Sequence, residues 1–375
     1  MTLSLAAFTM RGRGLAAKIA AAFPGSSVWA PEKLGADMPP LPDLYEWTKE
    51  RFAEGGALVF IGAAGIAVRA VAPFVKDKFT DPAVVSVDEA GRFVISLLSG
   101  HVGGANMLAR QIAEVTGGEA AVSTATDVNG LFAVDVWAAE RGLAICGREA
   151  AKQISAALLR GEAVGFSCDF PVEGPPPEGV CGVFPAGGKT SAQDAPGPGA
   201  AEASAARAFG GEPPRPALGF CVTLDEDASP FGETLRLIPK IVTVGVGCHR
   251  GIREDEIRAA VLGALDEHHI SPRAVCRIAT IDVKKDEAGL LAFAEHMGWP
   301  LCFFTAEELA MVPGEFAASD FVRGTVGVDN VCERAAASFG GELRIQKQAG
   351  GGVTVAAFAA PYIVRFEEKR IWREN

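Results

Sequence analysis

No Cys-x-x-Cys pair and no dense cysteine framework occur in this chain, although cysteine stands at 146, 168, 181, 221, 248, 276, 302 and 332. Thiols scattered through 375 residues read as reduced and buried, which argues against a disulfide-stapled scaffold and a Cys-ligated zinc site. No Lys/Arg-rich block is present, and acids outnumber bases 46 to 35, for a formal net charge of -11. That balance argues against nucleic acid as a partner. A polyanionic ligand can be held only where local basic residues collect it. The longest uncharged apolar run, Gly55 to Val68, falls short of the roughly 20 residues that span a bilayer. The apolar stretch Leu3–Met10 follows no basic region and runs straight into Arg11 and Arg13, so no targeting segment is expected. A soluble cytoplasmic chain without a membrane partner is the expectation.

What is present is apolar and periodic. Hydrophobic residues make up 49% of the chain, enough for sizeable cores and too many for a disordered protein. The length suggests two or three domains. Residues 1–140 alternate strand and helix: a strand at 2–8, a helix at 12–23, a buried strand at 57–61, a glycine turn and a helix at 66–74. Strands at 83–87 and 92–98 flank the hairpin signal Asp88-Glu-Ala-Gly91. A helix then opens within Ser99–Asn106, and a strand is expected over 120–124. Residues 141–240 read as a small middle segment. It contains a stretch, Pro171 to Pro216, with 10 Pro and 9 Gly in 46 residues, read as a linker or surface insertion. Residues 241–362 resume the alternation, and 363–375 form a charged tail. The expected fold class is α/β: two α/β domains with mostly parallel sheets, joined by the middle segment. Ligand sites in such folds favour the loops at strand C-termini.

Several motifs carry polar chemistry, each with an ordinary alternative. Gly62-x-x-Gly65 with Arg69 one turn on is either an anion-binding turn or a plain tight turn; it lacks the completion of a dinucleotide or phosphate loop. Lys76-Asp-Lys78-Phe-Thr-Asp81-Pro82 is either a functional loop or a solvated one, with Asp81 a turn former. In Ser99-Gly-His101-Val-Gly103-Gly104-Ala-Asn106 a histidine lies between glycines at an expected helix start. There the helix dipole would lower its pKa and favour the neutral base. Thr124-Ala-Thr126-Asp127-Val-Asn129-Gly130 offers hydroxyl, carboxylate and amide, or simply an Asx-Gly turn. Gly245-x-Gly247-Cys248-His249-Arg250-Gly251 reads as a backbone-plus-arginine anion turn rather than a thiol nucleophile.

Taken together these segments resemble the CbiG family of anaerobic cobalamin biosynthesis, the cobalt-precorrin-5A hydrolases. The N-terminal likeness runs over Phe60–Ala70, Lys76–Pro82, Gly91–Asn106 and Thr124–Asp127. The C-terminal part is similar to the family's second signature domain, shared with stand-alone CobE proteins. It carries Val244–Gly251, Thr280-Ile-Asp282 with Lys284 and Glu287, Phe304–Glu308, and Val331-Cys-Glu333 leading into Lys347. The Pro/Gly-rich stretch has little counterpart, and His249 stands where the family more often has a basic residue.

The resemblance implies a substrate, cobalt-precorrin-5A, a polycarboxylated macrocycle with a ring-A δ-lactone. It implies opening of that lactone with release of acetaldehyde, giving cobalt-precorrin-5B. Cobalt arrives in the substrate, so neither a resident metal nor another cofactor is expected. Neighbouring enzymes of the pathway and a second copy of the chain are the protein partners left open. Lactone opening needs a base for water and donors for the oxyanion. His101 is the expected base, with Asp81 or Asp127 orienting it or replacing it, and N–H groups near Gly103 and Gly104 as oxyanion donors. Substrate-binding candidates are Gly62, Gly65, Arg69, Lys76, Lys78, Arg92, Ser99, Asn106, Thr126, Asn129, Gly247, Cys248, Arg250, Asp282 and Lys284. Two rival readings are a non-catalytic carrier of corrinoid intermediates and an anion-binding sugar-phosphate enzyme.

Overall fold

The computed structural model of the chain describes residues 2–35, 38–77, 80–101, 103–184, 216–314, 316 and 330–366. One compact unit runs to Ala139, and a second begins at Glu140.

The first unit is built on strands β1 (Leu3–Ala7), β2 (Ser27–Trp29), β3 (Ala57–Ile61), β4 (Ala83–Val87), β5 (Phe93–Leu98) and β6 (Glu119–Ala121), in the order β2-β1-β3-β4-β5-β6. All neighbours are parallel except β4 and β5, which form the expected hairpin. Helices α1 (Met10–Ala22), α2 (Leu44–Glu54), α3 (Ala64–Val71), α4 (Ala105–Thr116), α5 (Ala125–Val128) and α6 (Val134–Glu140) complete it. Strand β3 shows why its sequence is an unbroken apolar run. Ala57, Val59 and Ile61 join one core with Ile19 of α1 and Leu108 and Ile112 of α4. Leu58 and Phe60 join a second core with Trp47 of α2 and Ala67 and Val71 of α3. A strand covered on both faces needs apolar residues at every position.

The second unit holds two larger sheets. Strands β7 (Ala144–Cys146), β8 (Val164–Cys168), β9 (Val172–Glu173), β10 (Val180–Phe184), β11 (Leu218–Val222) and β12 (Glu233–Ile238) accompany helix α7 (Arg148–Leu159). Five of these strands form a sheet ordered β10-β8-β11-β12-β7, parallel except at β12–β7. The middle segment is therefore not a small connector but a five-stranded sheet of its own. The Pro/Gly content of 171–216 hid β10, which tolerates it because it lies at the sheet edge. Residues 185–215 of that stretch are outside the described residues, as are 367–375 of the expected tail.

Strands β13 (Val242–Cys248), β14 (Val275–Ile281), β15 (Leu301–Phe304), β16 (Glu342–Gly350) and β17 (Val353–Ala359) form the other sheet, ordered β15-β14-β13-β17-β16. A last short strand, β18 (Val364–Arg365), pairs with β9. Strands β13, β14 and β15 are parallel, and the β16–β17 hairpin joins them antiparallel. Helices α8 (Glu254–Glu267) and α9 (Ala288–Met297) cover one face, where Ile257, Val261 and Phe293 meet Val242, Val244 and Val246. Helices α10 (Ala306–Met311) and α11 (Val331–Ala337) cover the other, with Leu309 and Ala335 against Ala279 and Ile281. Mostly parallel sheets under helices are what the alternation predicts. Among the described residues no helix is long and apolar enough to cross a membrane.

Candidate functional site

Strand register divides the N-terminal candidates between two ends of the six-stranded sheet. Ile61 pairs with Val87, and the Gly62 N–H donates to Val87 O at 2.8 Å, so the glycine turn sits where β3 and β4 end. Arg92 immediately precedes β5 at that same end, because β5 runs back antiparallel. Leu98, the last residue of β5, pairs with Val84 at the start of β4. The Ser99–Asn106 loop therefore lies beside Thr80-Asp81-Pro82, and β6, parallel to β5, delivers Thr124–Asp127 there too. The length of β4, five residues or roughly 15 Å, separates the two groups. Gly62, Gly65 and Arg92 are at one end; Asp81, Ser99, His101, Gly103, Asn106, Thr126 and Asp127 collect at the other.

His101 is the centre of the second group. Its Nε2 lies 3.1 Å from Asp127 Oδ2 and 3.0 Å from Thr126 Oγ1, and its Nδ1 lies 3.5 Å from Asp135 Oδ2. Asp127 is itself fixed on every side. Thr124 Oγ1 donates to Oδ2 at 2.5 Å, Asn106 Nδ2 to Oδ2 at 2.9 Å, and Arg110 Nη2 to Oδ1 at 2.7 Å. Asn106 also donates to Thr124 Oγ1 at 2.8 Å, closing the network. The contacts with Asp127 first and Asp135 next raise the His101 pKa to about 9, outweighing the opposing effect of burial. Burial pushes Asp127 up, but hydrogen bonds from His101, Thr124 and Arg110 hold it well below the usual carboxylate range. Burial likewise pushes Asp135 up, but its contact with His101 holds it below the usual carboxylate range.

This reverses the expected protonation of His101. The helix dipole was to favour a neutral imidazole, but α4 starts only at Ala105 and two carboxylates flank the ring. The two carboxylates favour the imidazolium, the opposite of what the helix dipole alone would favour. Of the oxyanion donors expected near Gly103 and Gly104, three N–H groups are engaged within the loop. Gly104 N–H donates to His101 O at 2.9 Å, Ala105 N–H to Ser99 O at 3.2 Å and Asn106 N–H to Gly100 O at 3.0 Å. Gly103 is required by the loop itself, since a Cβ there would come 2.4 Å from Ser99 Cβ. Ser99 is buried in a left-handed conformation, φ 54°, and its hydroxyl has no partner among the described residues. Asp81 is buried and accepts the Lys76 and Asp77 N–H groups at 2.8 and 3.1 Å, which ties its own loop. No hydrogen bond or ion pair among the described residues joins Asp81 to His101.

The remaining candidates are dispersed. Gly65 lies inside α3 rather than in the turn, and Arg69, exposed, reaches back to its carbonyl at 3.4 Å. Lys76 is exposed, Arg92 rests over the Phe93 ring at 5.5 Å, and Asn129 bonds Ala125 O of its own helix at 2.7 Å. Lys78 is outside the described residues. In the second unit Gly247 and Cys248 end β13 instead of forming a turn. A Cβ on Gly247 would meet Thr354 Oγ1 at 2.5 Å, so packing explains that glycine. Burial pushes the Cys248 thiol up, against the effect of Lys284, so it is a poor nucleophile. Arg250 is engaged by Asp286 at 2.8 and 2.9 Å and by Val283 O at 3.0 Å. Asp282 opens the short turn 282–284, and Lys284 Nζ faces Glu287 Oε2 at 3.8 Å. Among the described residues no group of three or more His, Cys, Asp or Glu side chains is placed to hold a metal ion.

Three family descriptions match in succession: Cobalamin synthesis G N-terminal over residues 46–127, Cobalamin biosynthesis central region over 132–239, and Cobalamin synthesis G C-terminus over 242–358. The chain is 34% identical to a cobalt-precorrin-5A hydrolase of Salmonella typhimurium, covering 89% of this chain and 91% of that one. It belongs to the CbiG family. A cobalt-precorrin-5A hydrolase of Priestia megaterium is 32% identical, over 86% of this CbiG chain and 81% of its own length. The protein CobE of a Sinorhizobium species is 30% identical over 34% of this chain and 85% of its own length.

In the CbiG chain, residues outside the candidate set also join these polar contacts. Asp135 lies in α6, beyond the N-terminal signature, and no local spacing links it to His101. Arg110, on the second turn of α4, reaches Asp127 through the fold alone. In the second unit Glu287 accepts the Gly251 N–H at 2.8 Å, and Glu333 accepts the Lys347 N–H at 2.7 Å. Both are buried acids whose partners lie far along the chain, although both stand within the segments that carry the family likeness.

Proposed function

We propose that this chain is a cobalt-precorrin-5A hydrolase, opening the ring-A δ-lactone of cobalt-precorrin-5A and releasing acetaldehyde to give cobalt-precorrin-5B. The observation that carries the reading is that the chain spans 91% of the length of a relative of that name at 34% identity. The N-terminal cluster supplies a chemistry that suits it. In lactone opening, the acyl carbon takes the hydroxyl of water and the ring oxygen departs needing a proton. A positioned imidazolium meets that need, so His101 is assigned as the general acid. Asp127 orients it and keeps it charged, as an ion partner in a partly buried site does. Cobalt belongs to the substrate, and no resident cofactor is assigned. The reading places the reaction in the cytoplasm, with neighbouring pathway enzymes and a second copy of the chain as candidate partners.

The test is anaerobic incubation of the purified protein with cobalt-precorrin-5A, with acetaldehyde assayed and the macrocycle followed by mass spectrometry. Acetaldehyde release by the wild type, lost in His101→Gln with binding retained, is the expected result. Stoichiometric binding of intact substrate without release would instead identify a carrier. Indifference to the corrinoid would reject both.

A further inference from the structure

Resting on that reading, we infer that Asp135 is a positioning residue for the reaction, holding His101 so that its Nδ1–H is the proton delivered to the substrate. The two imidazole nitrogens are held unequally. Nε2 has partners at 3.1 and 3.0 Å, Asp127 and Thr126, and Asp127 is braced in turn by Thr124, Asn106 and Arg110. This nitrogen is anchored. Nδ1 faces Asp135 Oδ2 across 3.5 Å, beyond the 2.7–3.2 Å range of an ordinary N–H···O bond. Its proton is oriented by charge but loosely held, so an incoming oxygen can compete for it.

Asp135 is placed for this and little else. Its residue is 8% exposed, and its other oxygen accepts the Val136 N–H at 3.0 Å in the first turn of α6. A buried carboxylate is costly unless paired, and the cation it faces is His101. Among the described residues the charged groups around the imidazole are Asp127 of α5 and Asp135 of α6, with Arg110 of α4 opposing them through Asp127. In the transfer the Nδ1–H bond breaks and a bond from hydrogen to the departing ring oxygen forms. The imidazole is left neutral with Nε2–H still on Asp127, and Asp135 then faces a lone pair. That arrangement is unfavourable, so Nδ1 regains a proton from solvent, balanced by the one that the attacking water gives up when its hydroxyl joins the acyl carbon.

The experiment is an imidazole NMR titration alongside a pH–rate profile for the wild type, Asp135→Asn and Asp135→Glu. The chain has 5 histidines, and His101→Gln assigns the signal. In Asp135→Asn the His101 titration should fall by about one pH unit, as expected for losing one nearby opposite charge. The basic limb of kcat should move acidward by the same amount, with kcat down about tenfold or more and KM nearly unchanged. Asp135→Glu, which keeps the charge, should keep the high titration point and recover part of kcat; it also serves if the Asn variant does not fold. A titration point and basic limb unmoved in a folded Asp135→Asn protein would overturn the role. A wild type that releases no acetaldehyde would instead remove the hydrolase reading, whatever the titration shows.

Discussion

Asp127 Oδ2 lies 3.1 Å from His101 Nε2 while its other oxygen takes Arg110 at 2.7 Å, so one carboxylate joins an imidazolium to a guanidinium. That bridge makes stability depend on pH in a defined direction. His101 has a folded pKa of about 9, above its ordinary 6.5, so its contribution is complete below 6.5. It declines between those values and is gone above 9. Asp127 is shifted the opposite way, so its contribution is present above the ordinary carboxylate range and fades in acid. Denaturant unfolding of the wild type and His101→Gln should differ by about 2–3 kcal/mol near pH 6 and converge near pH 10. A difference that grew with pH would contradict a charged His101.

Removing the bridge from the acidic side should cost more than removing a surface pair. Asp127→Ala leaves His101, Asn106, Thr124 and Arg110 without their common acceptor. Unmet hydrogen bonds and a stranded partly buried cation put the loss at about 3 kcal/mol. His101 should titrate closer to its ordinary value in the same variant. By contrast, Arg250 and Asp286 are both largely exposed, and Arg250→Ala should leave thermal unfolding unchanged.

Much of the fold was legible because periodicity reports burial. Strand β3 could be read to the residue, since both its faces are covered and every position is apolar. Strand β16 could not, because it is an edge strand with most side chains exposed and its pattern resembles a loop. The middle sheet was missed for a related reason: β7 is short, and the Pro/Gly density around β10 drowns a strand signal. At the site, the glycine-flanked His101 stood out in the sequence. Its protonation did not, because that depends on contacts with Asp127 and then Asp135, which only the fold brings against the ring. The sequence did imply that Arg92 sits at the far end of the sheet from His101, since strand β5 of the expected hairpin lies between them.

That separation is itself testable. Arg92 is exposed, contacts its neighbour Phe93, and is a strand's length from the imidazole, well beyond a Debye length of about 8 Å at physiological salt. Arg92→Ala should leave the His101 titration unmoved, whereas Arg110→Ala, which takes a cation from Asp127, should raise it. A change in KM without any shift in the pH profile would show that Arg92 meets the substrate away from the reacting bond.

Packing in the second unit yields the sharpest stability prediction. A Cβ on Gly245 of β13 would lie 1.8 Å from Cys332 O and 3.0 Å from Ala336 Cβ, both on α11. The obstacle is helix backbone, which has no rotamer to change. Gly245→Ala must therefore push α11 off the sheet, opening the core of Ala279, Ile281, Val331 and Ala335. It must also pull at Glu333, whose carboxylate accepts the Lys347 N–H at 2.7 Å and the Asn330 amide at 2.6 Å. Overpacking typically costs about 1–3 kcal/mol, and a strained buried acceptor adds to it. Gly245→Ala should thus lose about 3 kcal/mol or more in denaturant unfolding of the second unit. Gly263→Ala, on α8 with open space where its Cβ would go, should gain a few tenths to about 1 kcal/mol instead. Equal effects at the two glycines would mean that α11 does not rest on β13 as closely as the 1.8 Å approach requires.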